Sequence, residues 1–316
     1  MRDLEDVLHG AIIPVFPILG KGNCGSLIPM KTHFHPSVCP HCGKTYDSLL
    51  SACPHCLKSN EDPTSRKFDQ FVVLPFWRQI LLFFLGWMGF QVIALVVSEI
   101  LYLQGADPSW SEAELEAFLS SAPYLGPLHF IAYAVLFLAL SLCLWDGWKK
   151  TLKSFASAKG YLWGLAAFAA QYAFGIVYGI LLQVILAALG MEYATNANQG
   201  TLDVIIQGYP VLSLLIFGFV GPFCEELTYR VGLFSFAGRF GKVVAYVGSA
   251  LVFALIHFDF TAFGNPEALA VEFYNLPSYL FAGLSLGFAY DKGGFAGGFV
   301  AHALNNCLSV FASMGE

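Results

Sequence analysis

The segment CEELTYR at residues 224–230 sets two adjacent carboxylates and a guanidinium inside an apolar run, since the GYPVLSLLIFGFVGPF before it carries no charge. On membrane-insertion scales an acidic or basic residue near a helix centre costs about 2.5–3.5 kcal/mol. Three together must be paired or put to use. Glu226 and Arg230 are four apart, so a helix sets them on one face where they can pair, while Glu225 lies about 100° round the axis and points elsewhere. One carboxylate is left in need of a proton, a metal or a basic partner. Beyond residue 60 the chain offers three histidines, His129, His257 and His302, and AHALNN at 301–306 repeats the four-residue spacing with His302 and Asn306. Two glutamates, two histidines, an asparagine and an arginine are what water activation requires: a carboxylate base to take a proton, and donors to hold the oxyanion that develops.

The elements that must position these groups are membrane helices. Of 316 residues 57% are apolar and 12% charged, against roughly 25% charged in an ordinary soluble domain. About 20 apolar residues cross the hydrocarbon core as a helix. The expectation is an all-α polytopic membrane protein of about seven spans, with an error of one: 79–103, 124–145, 161–189, 209–240, 243–259, 276–290 and 294–312, with 202–208 a candidate extension of the fourth. Strand-like alternation is missing from these runs, which argues against a membrane barrel. Glu225 and His257 are each sixteen residues from Gly241 in the GRFGK turn, so antiparallel neighbours bring them to one depth, about 24 Å along each helix. Loops 104–123, 190–208 and 260–275 hold Asp and Glu but no Lys or Arg, whereas Lys149, Lys150, Lys153, Lys159, Arg239, Lys242 and Lys292 lie on the other side with Arg66, Lys67 and Arg78. By the positive-inside rule the amino terminus is expected to be cytoplasmic, in a microbial cytoplasmic membrane. No signal peptide is visible in MRDLEDVLHG, so targeting is expected to use the first span.

Residues 39–56 read CPHCGKTYDSLLSACPHC, two C-x-x-C knuckles formed by Cys39 with Cys42 and Cys53 with Cys56. Four thiolates suit one tetrahedral zinc, and a short hairpin can join the hooks. The expectation is a small cytoplasmic four-cysteine zinc ribbon that resembles those at the ends of many microbial membrane proteins, with Leu57 where the second knuckle would more often carry a glycine, as at Gly43. Such a zinc is structural, because sulfur fills all four positions; His41 and His55 are read as solvated. The domain reading is an unassigned tail at 1–35, the ribbon at 36–60, a polar linker at 61–78 and a transmembrane region at 79–316 whose chemical core covers about 205–312.

That core resembles the CPBP family (CAAX prenyl protease and bacteriocin-processing, or ABI) of intramembrane proteases. The resemblance rests on E-E-x-x-x-R at Glu225, Glu226 and Arg230, F-x-x-x-H at Phe253 and His257, and H-x-x-x-N at His302 and Asn306, in that order on successive spans. It implies endopeptidase action on a membrane-associated peptide or protein. By the same resemblance, Glu225 with His257 activates the water, Glu226 supports them, His302 and Asn306 stabilise the oxyanion, and Arg230 pairs and positions. Glu225, His257 and His302 are also a set that could hold a catalytic zinc, although no H-E-x-x-H helix is present. One departure is Val231 after the motif arginine, where glycine is usual, with the glycine one place later at Gly232. Family precedents include trimming of prenylated proteins and processing of small peptides, and no residue selects between them.

Other readings use the same residues. A proton- or metal-coupled transporter would place Glu, His and Asn in mid-membrane, though no internal repeat is found. A non-catalytic scaffold would use them to lock helices while the ribbon binds a protein partner. Cys224 beside the glutamates is read as a packing residue rather than a nucleophile, and His129 as an interfacial or hydrogen-bonded residue in the second span. Nucleic acid is not an expected partner.

Overall fold

The computed structural model describes residues 36–39, 42–47, 53, 55, 74–145 and 147–315. The chain divides into two units, Met1–Glu61 and Asp62–Glu316. In the first, strands β1 (Pro36–Val38) and β2 (Thr45–Asp47) pair antiparallel with Ser37 opposite Tyr46. Between them the chain turns at Gly43, whose φ of 70° is a left-handed conformation that suits glycine. Cys39 and Cys53 are buried around Tyr46. The tail at 1–35, most of the linker, His41 and Cys56 lie outside the described residues.

The second unit is a helical bundle. Its helices are α1 (Phe76–Gly105), α2 (Glu112–Leu119), α3 (Ala122–Cys143), α4 (Trp148–Ser154), α5 (Ala158–Leu189) and α6 (Ala197–Gly208). There follow α7 (Pro210–Phe240), α8 (Lys242–Leu255), α9 (Pro266–Gly293) and α10 (Phe295–Met314). Five of them, α1, α3, α5, α7 and α10, are long and apolar enough to cross a membrane. This is an integral membrane protein, and its outward faces agree: Val92, Leu95, Leu138, Leu162 and Val184 are all exposed. In α7, 56% of the most apolar window is buried, against 11% in α5. The helix that carries the glutamates is therefore the centre of the bundle. Leu82, Leu140, Leu227, Val231, Phe234, Tyr290 and Phe295 form the main core around it.

The structure corrects several sequence-based boundaries. The fifth span, expected over 243–259, is the 14-residue α8, about 21 Å long and so short of a hydrocarbon core of about 30 Å. Its last turn tightens, with the His257 N–H donating to the Ala254 carbonyl, and the chain then enters a 3-10 turn at Phe260–Gly264. The sixth, expected over 276–290, begins ten residues earlier in α9, where Asn265 caps the Glu267 and Ala268 N–H groups ahead of Pro266. Glu272, counted with the outer loops, is instead buried and accepts from the Asp259 N–H. Residues 202–208 do not extend the fourth span. Tyr209 breaks the helix because a residue before proline is pushed out of the α region, so α6 stands apart from α7. The loop at 104–123 contains α2, started by a capping box between Ser111 and Glu114.

Candidate active site

The middle of α7 is not a regular α-helix. Ile216–Val220 and Glu226–Phe234 are π-helical, with the Gly221 N–H donating five residues back to the Ile216 carbonyl. Pro222 has no N–H to offer Phe217, which leaves that carbonyl without a helical partner. Asn306 of α10 supplies the bond, its Nδ2 donating to the Phe217 oxygen at 3.0 Å. The H-x-x-x-N spacing thus does a structural task as well, fixing α10 to α7 about two turns before the glutamates. Wide turns of this kind recur at functional sites.

Beyond that anchor the two glutamates part. Glu226 points into protein: its side chain is 0% exposed, as is that of Arg230, whose Nε lies 3.3 Å from Glu226 Oε2. The pair is within ion-pair reach but not aligned as a hydrogen bond, and the Arg230 Nη atoms have no hydrogen-bond partner. The guanidinium instead faces the Phe253 ring, 5.1 Å from its centroid. The other Glu226 oxygen meets His302 Nδ1 at 3.0 Å. Glu225 keeps 20% of its side chain exposed, accepts a hydrogen bond from the Tyr133 hydroxyl at 3.2 Å, and lies 3.7 Å from His302 Nε2. His302 therefore bridges the two carboxylates, one balanced by arginine and one open.

Room for this arrangement comes from α10. A methyl group at Gly298 would overlap Glu226 Oε2. Gly298→Ala is expected to destabilise the protein by roughly 1–3 kcal/mol, as overpacking does, and to lower activity by pushing Glu226 off His302; thermal unfolding of the purified variant checks the first part. Gly232 explains the departure from the motif. Its Cα faces the backbone of α1, where an added Cβ would lie 2.9 Å from the Phe83 nitrogen, whereas Val231 is wholly buried in the core.

His257 follows from the early end of α8. Its own N–H has gone to Ala254, so the Phe253 carbonyl is free, and His257 Nδ1 bonds to it at 2.7 Å. A carbonyl only accepts, so Nδ1 carries the proton and Nε2 is the nitrogen left for other work. The ring is held further by stacking on Tyr279, 4.4 Å between centroids. Phe253 stands between the pieces, 4.8 Å from the His257 ring and 5.9 Å from that of His302.

Glu225, His257, His302 and Asn306 all line one cavity of about 230 Å³, while Glu226 and Arg230 sit behind its wall. Cys224 is buried and does not line it. The far wall was not foreseen. It presents His129 and Tyr133 from α3, Gln171 from α5, and Asn198, Gln199 and Thr201 from α6. His129, expected to be interfacial or hydrogen-bonded, is hydrogen-bonded, its Nδ1 meeting the Leu125 carbonyl at 2.8 Å, and it also lines the cavity. The signal in the sequence was its four-residue spacing from Tyr133, the same as that of His302 and Asn306.

Two groups were candidates for metal. The thiols of Cys39, Cys42 and Cys53 lie within 4.8 Å of one another, and the Sγ atoms of Cys42 and Cys53 are 3.7 Å apart, close to the ~3.8 Å edge of a tetrahedron with Zn–S bonds of ~2.3 Å. The donor set fits zinc. Among the described residues, Glu225, His257 and His302 do not form a group at that spacing.

Residues 207–308 match the model of the Rce1-like family, described as type II CAAX prenyl endopeptidase Rce1-like. A protein of Mycoplasma capricolum subsp. capricolum, named only as an uncharacterized protein, is 29% identical over 170 residues, which cover 51% of this chain and 47% of that protein. The chain thus spans about half the length of that curated relative. No solved structure matches.

Proposed function

We propose that this chain, whose residues 207–308 are of the Rce1-like family, is an intramembrane endopeptidase that hydrolyses a membrane-associated peptide or protein with a water activated by Glu225. One observation carries the reading. Two adjacent carboxylates have opposite surroundings: Glu226 is buried against Arg230, and Glu225 opens into a polar cavity beside two histidines. A pair divided in this way gives one group that holds the site and one that can move a proton.

In the proposed reaction Glu225, with His257 Nε2 as second partner, takes a proton from a water in the cavity. The water oxygen bonds to the carbonyl carbon of the scissile peptide. His302, taken as protonated on both ring nitrogens between the two carboxylates, offers its Nε2–H to the oxyanion, and Asn306 offers its second amide N–H. When the tetrahedral species collapses, the C–N bond breaks and the proton on Glu225 passes to the leaving amine. Glu226 holds His302, Arg230 balances Glu226, and Tyr133 aims Glu225. The positive-inside bias supports a cytoplasmic amino terminus, with the α6 side of the cavity toward the opposite face.

The test compares membrane peptidomes of cells that carry the wild type and Glu225→Gln. Products present only with the wild type are expected, and identical profiles would sink the reading.

The cysteine unit would hold a structural zinc through Cys39, Cys42 and Cys53, with Cys56 as fourth ligand, and would serve to dock a protein partner. Cys53→Ser is expected to lose its one equivalent of zinc by metal analysis while peptide hydrolysis by the membrane unit continues. Retained zinc would refute the assignment.

A further inference from the structure

Helix α5 is apolar along its length and lies outside the segment that matches the family. Near its middle stands Gln171. It is 8% exposed, its Nε2 is buried without a hydrogen-bond partner, and it is the one α5 residue that lines the cavity. An amide N–H that is buried without a partner has lost its water and gained no hydrogen bond in return, so it is costly until a partner arrives. Three other polar groups that line the cavity have partners: His302 is held by Glu226, and His257 and Asn306 each hold a helix carbonyl. Ala282 and Leu286 of α9 line the same cavity.

We infer that Gln171 is the anchor for the substrate main chain. The inference rests on the peptidase reading above. A carboxamide carries a donor and an acceptor in one plane, the complement of a peptide group, so it pairs with backbone C=O and N–H without regard to side chain. It thereby holds an extended substrate beside Glu225 and leaves sequence preference to the apolar wall. Gln171 does not touch the reacting atoms. It is a binding and positioning residue, and its loss acts on KM.

The experiment uses the full-length protein in lipid nanodiscs and a set of palmitoylated, quenched-fluorescent octapeptides, each N-methylated at a different position. In the wild type, one N-methyl position is expected to raise KM about tenfold, as loss of one buried hydrogen bond does. Gln171→Met, close in volume and without the amide, should raise KM for the unmethylated peptide by about tenfold, keep kcat within about twofold, and abolish the penalty at that N-methyl position alone. Gln171→Asn, which keeps the amide but withdraws it, should lose the same coupling and serves if the methionine variant does not fold. Unchanged KM in the variants, or an N-methyl penalty equal in variants and wild type, would overturn the inference and leave the peptidase reading standing. A wild type that cleaves none of the peptides would overturn both.

Discussion

Glu225→Gln is expected to lower peptide hydrolysis by about a thousandfold, within the range of roughly 10²–10⁴ for removal of a general base, while the protein keeps its fold and melting temperature. The contacts of Glu225 explain why chemistry and stability separate here. Its bond from the Tyr133 hydroxyl at 3.2 Å needs only an acceptor oxygen, which glutamine retains, and the His302 contact at 3.7 Å is long. The side chain is partly open, so little packing is at stake. Rates measured on a lipid-anchored peptide, with unfolding followed in the same detergent, separate three outcomes. A peptidase loses turnover and stays folded. A transporter built from the same residues loses uptake instead, and a scaffold loses stability. A Glu225→Gln protein that still cleaves at the wild-type rate would remove the glutamate from the mechanism.

The near wall of the site could be read from sequence because its residues are out of place. Charges in an apolar run are costly, so Glu225, Glu226 and Arg230 had to be paired or used, and the four-residue spacings of Glu226 with Arg230 and of His302 with Asn306 fixed which faces converge. The far wall had no such signature. Gln171 is one of two amides, with Gln183, in a 32-residue helix, and an amide is tolerated in many membrane helices for reasons unrelated to catalysis. His129 was read as interfacial or hydrogen-bonded, and that it also lines the cavity depends on how α3 packs in the bundle. The boundaries of α8 and α9 were misjudged for a related reason: apolar runs were measured, but α8 ends where its last turn tightens at His257, and α9 starts at the Asn265 cap. The bond from Asn306 to Phe217 was invisible without the π-turn, although Pro222 is its cause. Proline inside a predicted helix was a usable warning that some carbonyl upstream would need a partner from elsewhere.

Arg230→Met is expected to destabilise the protein by about 3–5 kcal/mol, more than any other single change discussed, because it leaves the Glu226 carboxylate buried without its counter-charge. Both side chains are 0% exposed, so water cannot take the place of the lost partner. Breaking such a pair from one side is costly even when the intact pair contributes little net stability, since desolvation of two ions offsets most of their attraction. This asymmetry gives the experiment its power. Glu226→Gln combined with Arg230→Met removes both charges and should recover a large part of the stability lost by Arg230→Met, so that the double variant loses less than the two single variants summed. Activity should not recover with it. His302 Nδ1 would then face a neutral amide in place of the carboxylate 3.0 Å away, and the nitrogen offered to the oxyanion would lose the charge that holds its ring in line. A double variant that regains most of the lost stability but stays nearly inactive is the expected result. Full activity in that variant would mean that the buried pair only locks α7 in place, and an Arg230→Met protein with unchanged melting temperature would mean that Glu226 is not held there as an ion.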